Sequence, residues 1–211
     1  MQSSYLGVWN TFWRGRGPQE ECPMMRKTIG FINGRPEIHE IEDWGCGVTA
    51  LRKYIDPRIR YIGLDGSDTG YQTRLVDLTT YKSNVDAIFM RHVLEHNWAW
   101  QQMLQSVLLS FQKRAIVIVF TPWSDDAAMH KVLNQHEMHS ENKEGQRVVI
   151  PDLALPKAVF MRIISDCQEQ MLRTEQTVLK YKMEEGLPTN TVYGQDHIFF
   201  FEKTKETPQV C

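Results

Sequence analysis

The stretch Glu42-Asp43-Trp44-Gly45-Cys46-Gly47-Val48-Thr49 decides the fold. It ends the first expected strand, Ile38–Trp44, with two glycines one residue apart. Glycines at 45 and 47 let the backbone turn sharply and let a ligand approach with no Cβ in the way. A short helix, Val48–Tyr54, is expected next. It stops before Asp56-Pro57, because proline disfavours helical geometry in the residue preceding it. By itself the G-x-G pair fits a plain strand-to-helix turn equally well.

Working outward, strands are expected at Arg60–Leu64, Thr73–Val76, Val85–Met90 and Ala115–Phe120. The last is a continuous apolar run of the kind found in central parallel strands. Trp98–Phe111 places Trp100, Met103, Leu104, Val107, Leu108 and Phe111 at helical spacing. Leu153–Cys167 reads as a further helix. Arg173–Met183 and Val192–Lys203 read as strands joined through Gly186 and Pro188, which suit an antiparallel hairpin. Strands alternating with amphipathic segments predict an α/β sheet. Gly66–Arg74 is too short for a crossover helix, which takes about a dozen residues or more, so a loop is expected there.

Two segments stand outside this pattern. Residues 1–37 read as a helix-and-loop extension leaning on the core, with Trp13 beside Arg14 and Arg16. Residues 122–150 form a polar insertion rich in His, Asp, Glu and Asn, with a helix expected over Ala127–His139. Long irregular stretches inside a compact domain are more often functional than idle.

The 211 residues suit one domain with a full core. A formal net charge of −2 gives no broad electrostatic reason to bind nucleic acid or a membrane surface. Cys22, Cys46, Cys167 and Cys211 form no CxxC pair and no zinc spacing, so neither a disulfide framework nor a structural metal is expected. Met1–Asn10 lacks the basic start and apolar run of a signal peptide. No apolar stretch approaches the roughly 18–20 residues needed to span a bilayer. The expected address is the cytoplasm.

In doubly wound sheets, ligands bind at the carboxyl ends of the strands where strand order reverses. Asp43 is placed there to receive a cationic ligand group. Asp65 ends the next strand about 20 residues beyond the glycines, where a carboxylate accepts hydrogen bonds from both ribose hydroxyls. An Asp before Gly66 is also a common turn starter. Asp77 can accept from an adenine amino group, or cap a turn. The segment from Asp86 to Asn97 brings Arg91, His92, Glu95 and His96 to the same end.

Asp43-Trp44-Gly45-Cys46-Gly47 resembles the D-x-G-C-G cofactor motif of class I S-adenosylmethionine-dependent methyltransferases. Asp65 is similar to their ribose-binding acid. Val85-Asp86-Ala87-Ile88, followed by Arg91-His92-Val93-Leu94-Glu95-His96, resembles their "D-hydrophobic … VLEH" segment. The resemblance covers about residues 38–121 of the sequence. It implies a Rossmann-like, seven-stranded, mostly parallel sheet with helices on both faces and a C-terminal antiparallel hairpin. It also implies S-adenosyl-L-methionine as cofactor, held by Asp43, Gly45, Cys46, Gly47, Asp65, Gly66, Ser67, Asp77, Leu78 and Arg91. Thr49 stands where the family often has a third glycine, and fits if the backbone there is already helical. A dehydrogenase turn would want glycine where Ala50 stands, and the closing hairpin also disfavours that reading.

Methyl transfer from a sulfonium needs in-line positioning, plus a base when the acceptor is oxygen. His92 and His96 are the candidate bases. His96 reads more readily as a structural residue at a helix start, beside Asn97 as cap. Trp13, Arg14, Arg16, Trp123 and His136 are the candidate acceptor contacts, since aromatic faces stack on sugars and arginines fork onto anions. The expected acceptor is a small molecule or a carbohydrate, and the insertion is its lid. His136 and His139 at i, i+3 of a helix, near Asp125, Asp126 or Glu137, make a metal conceivable. A solvated polar face is the simpler reading, and no metal is expected. A protein or RNA methyltransferase, and a non-catalytic cofactor-binding module, are the alternatives. Oligomeric state is not legible.

Overall fold

The computed structural model describes residues 23–139, 147–188 and 192–205. Its strands in chain order are β1 (Glu40–Trp44), β2 (Arg60–Asp65), β3 (Arg74–Leu75), β4 (Val85–Arg91), β5 (Phe111–Val119), β6 (Lys131–His139), β7 (Arg147–Ala154), β8 (Thr177–Pro188) and β9 (Gln195–Lys205). Seven of them form one sheet in the order β3-β2-β1-β4-β5-β9-β8, and β6 and β7 pair separately. β1 pairs in parallel with both β2 and β4. Strand order therefore reverses at β1, and a crevice opens at the carboxyl ends of β1 and β4. β9 runs antiparallel between β5 and β8, as the C-terminal hairpin predicted.

Side chains along a strand alternate between faces, and here both faces are covered. Ile88 and Met90 of β4, with Ala115, Val117 and Val119 of β5, pack into one apolar layer. It is closed by helices α2 (Trp100–Ser110) and α3 (Lys157–Glu175). Ala87 and Phe89, with Ile116 and Ile118, pack into the other layer against Met25 and Ile29 of α1 (Pro23–Ile29). The two layers account for the near-continuous apolar reading of β4 and β5.

Four expectations need correction. Ala127–His139 is not helical: Lys131–His139 is strand β6, paired antiparallel with β7. The β-branched run Val148-Val149-Ile150 supplies its partner, and cross-strand pairing overrides the local polarity of the segment. The i, i+3 argument for His136 and His139 falls with the helix. The helix expected at Leu153–Cys167 is displaced to Lys157–Glu175, with Pro156 at its N-cap, a residue poorly tolerated inside a helix. The helix expected at Val48–Tyr54 shrinks to a 3-10 turn, Ala50–Tyr54, because Thr49 adopts φ 56°, ψ 35°. Thr49 is therefore left-handed rather than helical. That geometry costs a β-branched residue about 1–2 kcal/mol, a cost glycine would not carry. The loop expected between β2 and β3 is present. In it the Thr69 hydroxyl and backbone N–H both donate to Gln72 Oε1, at 2.8 and 3.0 Å.

No helix among the described residues is long and apolar enough to cross a membrane.

Candidate cofactor and acceptor site

The crevice at the carboxyl ends of β1 and β4 is a cavity of about 490 Å³, within the size range of small-molecule sites. Its floor is the turn after β1. Gly45 and Cys46 both donate backbone N–H groups to the Leu64 carbonyl, at 2.8 and 3.0 Å. The Gly47 N–H donates to Asp65 Oδ2 at 2.9 Å, and the Ser67 N–H to Asp65 Oδ1 at 2.9 Å. One buried carboxylate thus ties together the turns after β1 and β2. Gly45 has φ 78°, and a Cβ placed on it would lie 2.3 Å from Val93 Cγ2. Only glycine allows both that backbone and that approach. The Cys46 sulfur packs toward Gly63, where an added Cβ would meet it at 3.0 Å.

Asp43, at the end of β1, is buried and accepts the Tyr61 hydroxyl at 2.6 Å. Burial pushes its carboxyl up to about 7; the Tyr61 hydrogen bond and the Arg91 charge oppose that shift, while Asp65 adds to it. Burial likewise pushes Asp65 up to about 6, against the backbone N–H groups of Gly47, Ser67 and Gly66. Arg91 lines the cavity, and its buried Nε has no hydrogen-bond partner among the described residues. Asp77 also lines the cavity. Its Oδ1 accepts the Thr79 N–H at 2.9 Å and the Thr79 hydroxyl at 2.6 Å, so it caps a turn whatever else it binds.

Beyond Arg91 the cavity becomes polar and is closed by the β6–β7 hairpin. His92 has φ 56°, its N–H donates to the Ile118 carbonyl at 2.9 Å, and its Nε2 lies 3.0 Å from Asp196 Oδ1. Burial lowers its pKa to about 4 although Asp196 opposes this, so the ring is neutral near pH 7. His96 sits in the 3-10 turn Leu94–His96, with Nδ1 3.0 Å from Asp152 Oδ1. Burial alone would lower its pKa, but Asp152 and Glu95 outweigh burial and raise it. His136 Nε2 lies 3.1 Å from the other Asp152 oxygen, which also accepts the Tyr193 hydroxyl at 3.0 Å. These contacts hold Asp152 down at about 2 despite its burial. Asp152 thus joins the turn after β4, the hairpin and the β8–β9 connection. The Phe120 ring lies among them, 4.8 Å from His92, 5.3 Å from His96 and 5.5 Å from Tyr193.

Of the residues singled out in the sequence, Asp43, Gly45, Cys46, Gly47, Asp65, Gly66, Asp77, Leu78, Arg91, His92, His96 and His136 all line this one cavity. Ser67 is fully buried behind it and acts through its N–H on Asp65. Trp123 is elsewhere: its ring packs 4.7 Å from His197 and 5.6 Å from Phe160, and its indole N–H donates to Glu185. It is drawn away because Phe160 and Phe199 offer it an apolar seat. Trp13, Arg14 and Arg16 lie outside the described residues. Among the described residues no three His, Cys, Asp or Glu side chains are grouped to hold a metal.

Tyr61, Asn134, Asp152, Tyr193 and Asp196 were missed. The signal available for Asp152 and Asp196 was an acid beside an apolar run, Val148-Val149-Ile150-Pro151-Asp152-Leu153 and Asp196-His197-Ile198-Phe199-Phe200-Phe201. Buried charges in such runs need partners, and both acids have histidines.

The topology, with β1 at the reversal and an antiparallel β9, is the class I methyltransferase fold. No protein-family model matches the sequence, and no curated protein does. Among solved structures the chain is similar to the sugar N-methyltransferase KedS8 from Streptoalloteichus, with 14% identity over 98% of this chain and 96% of that one, TM-score 0.57. It is also similar to magnesium protoporphyrin IX methyltransferase from Synechocystis, solved with bound SAH, with 15% identity over 93% and 96%, TM-score 0.57. The CcbJ methyltransferase from Streptomyces caelestis shares 9% identity over 96% and 98%, TM-score 0.57. At such identities the likeness is one of fold.

The residues present fit an adenosyl cofactor. Asp65 keeps lone-pair capacity beyond its backbone donors Gly47, Ser67 and Gly66, Arg91 has an unmet buried donor, and Asp43 offers a carboxylate to a cation. A ligand that needs Asp43 and Asp65 ionised must release their protons when pH lies below about 7 and about 6 respectively. Affinity for S-adenosylhomocysteine is therefore expected to fall as pH falls, by roughly tenfold or more from pH 8 to pH 6. Calorimetric titration across that range checks it, and a flat profile would count against ionised carboxylates in the site.

Proposed function

We propose that the chain is an S-adenosylmethionine-dependent methyltransferase acting on an oxygen of a small or carbohydrate-type acceptor. The observation that carries this reading is continuity. A single cavity runs from the Gly45–Gly47 turn and Asp65 to His92 and the polar groups of Asn134, His136 and Asp152. The first end suits a nucleoside, with Asp65 receiving ribose hydroxyls, Asp43 the amino group and Arg91 the carboxylate of the methionine part. When bound, the cofactor supplies an already activated methyl group. The protein's share of the work is then to orient the acceptor, exclude water and take up one proton.

The second end suits a hydroxyl-rich acceptor. Asn134, His136, Asp152 and His96 present alternating donors and acceptors, and the Phe120 ring gives an apolar face. His92, neutral and at the cavity wall, is the base. His96 is a docking residue: through Asp152 it holds the hairpin in place, so that segment 122–150 serves as the acceptor lid of a single domain. Neighbours of the same fold include a sugar N-methyltransferase and an amino pentose methyltransferase, which supports a small acceptor.

The test is transfer of a labelled methyl group from S-adenosylmethionine to a panel of monosaccharides, amino sugars and phenols. The expected result is label on a hydroxyl group, lost on His92→Ala. Label appearing only on protein or RNA substrates would redirect the assignment, and no transfer to any substrate would leave a binding module.

A further inference from the structure

Asp196 is fully buried at the start of β9. Its Oδ1 lies 3.0 Å from His92 Nε2, and its Oδ2 has no hydrogen-bond partner among the described residues. A buried carboxylate is costly to desolvate, so this one adds little to stability by itself. Its side-chain hydrogen-bond partner, among the described residues, is His92, itself held with φ 56° by its N–H bond to Ile118. Strained, non-glycine backbone of this kind clusters at functional sites. Two features, a buried acid with one oxygen unpartnered and a left-handed histidine, thus converge on one contact at the cavity wall.

We infer that Asp196 is the positioning residue of the reaction, fixing His92 as its Nε2–H tautomer so that Nδ1 faces the cavity as the proton acceptor. This rests on the methyl-transfer reading above. A neutral imidazole that donates Nε2–H to a carboxylate has its lone pair on Nδ1. In the transfer, the acceptor oxygen bonds to the methyl carbon and the carbon–sulfur bond breaks, its electron pair staying on sulfur. The hydroxyl proton passes to His92 Nδ1. One positive charge therefore leaves sulfur and reappears on the ring, where Asp196 meets it. Arg91 and His96 face the ring as cations or potential cations and disfavour its protonation, and Asp196 opposes them. Glu95 is the other buried acid in this cluster; its Oε1 accepts the Phe120 N–H at 2.9 Å.

The test uses the full chain and needs no acceptor. Sinefungin carries an ammonium where S-adenosylmethionine carries its sulfonium methyl, so it can donate to His92 Nδ1. S-adenosylhomocysteine cannot. Calorimetry at neutral pH on wild type and Asp196→Asn is expected to show sinefungin affinity reduced about tenfold or more by the substitution, with S-adenosylhomocysteine affinity within about twofold. A merely structural acid would move both ligands together. In the wild type, nitrogen-15 NMR of labelled histidine is expected to show His92 with Nε2 protonated and Nδ1 bare.

An unchanged ratio of the two affinities, or a proton on Nδ1, overturns the inference and leaves the methyltransferase reading standing. Failure of the wild type to bind S-adenosylhomocysteine overturns both. If Asp196→Asn does not fold, seen as loss of both ligands, the wild-type tautomer decides.

Discussion

Asp65→Ala is expected to weaken S-adenosylhomocysteine binding by roughly two to three orders of magnitude. The carboxylate already accepts the N–H groups of Gly47 and Ser67 at 2.9 Å each, and it does so at 7% exposure, largely out of competition with water. Under the proposed function, what lone-pair capacity remains beyond these and the Gly66 N–H is offered to the two ribose hydroxyls. Hydrogen bonds to a charged group contribute about 1.5–3 kcal/mol each; at the lower end of that range, about 1.5–2 kcal/mol, loss of two amounts to about 3–4 kcal/mol, and each 1.4 kcal/mol is about tenfold. The alanine also leaves the Gly47, Ser67 and Gly66 N–H groups without their carboxylate and loosens both turns. Asp65→Asn separates these effects, because the amide keeps one acceptor oxygen for a backbone N–H while losing the charge. Titration calorimetry reads the affinity, and circular dichroism reads the fold. Full affinity in the alanine variant would remove Asp65 from the site.

The second large effect is expected at Gly45. Gly45→Ala places a methyl 2.3 Å from Val93 Cγ2 on a backbone with φ 78°. The left-handed geometry costs alanine about 1–2 kcal/mol, and displacing Val93 adds about 1–3 kcal/mol. A total of about 2–5 kcal/mol corresponds to a fall in Tm of roughly 5–20 °C for a domain of this size. Val93→Ala in the same chain removes the clash and leaves the backbone strain. The double variant is therefore expected to recover part of the loss, a coupling that thermal unfolding of the four-member cycle measures. Purely additive losses would show that the close approach of Val93 contributes nothing.

Much of this architecture was legible in the sequence, for a physical reason. β4 and β5 are buried on both faces, so they read as apolar runs whatever surrounds them. The Gly45-Cys46-Gly47 turn and Asp65 also announce themselves, because local backbone demands dictate their residue types. The hairpin was not legible. Lys131–His139 has no strong period of its own, and only its pairing with Arg147–Ala154 makes it a strand. Helix α3 began later than expected because Leu153, Ala154 and Leu155, although apolar, are buried in and after β7 rather than along a helix.

The site divided in the same way. Every residue named for the cofactor lies at or immediately behind one cavity, because strand ends and turns place it there. On the acceptor side, His136 reaches the cavity as a strand residue and Trp123 does not reach it. Asp152 and Asp196 reach their histidines over 56 and 104 positions of chain respectively, from residues 96 and 92. Such contacts are set by sheet order, which no local pattern encodes. Their only trace in the sequence is an acid standing against an apolar run.

The proposed function requires the turn after β1 and the acid ending β2 to hold one adenosyl group. Its most direct test is a crystal structure of the chain grown with S-adenosylhomocysteine. The ribose hydroxyls are expected within hydrogen-bond distance of Asp65 and the homocysteine part between Asp43 and Arg91, with the sulfur directed toward His92. A nucleoside bound anywhere else, or crystals in which this crevice holds only solvent at saturating ligand, would contradict it.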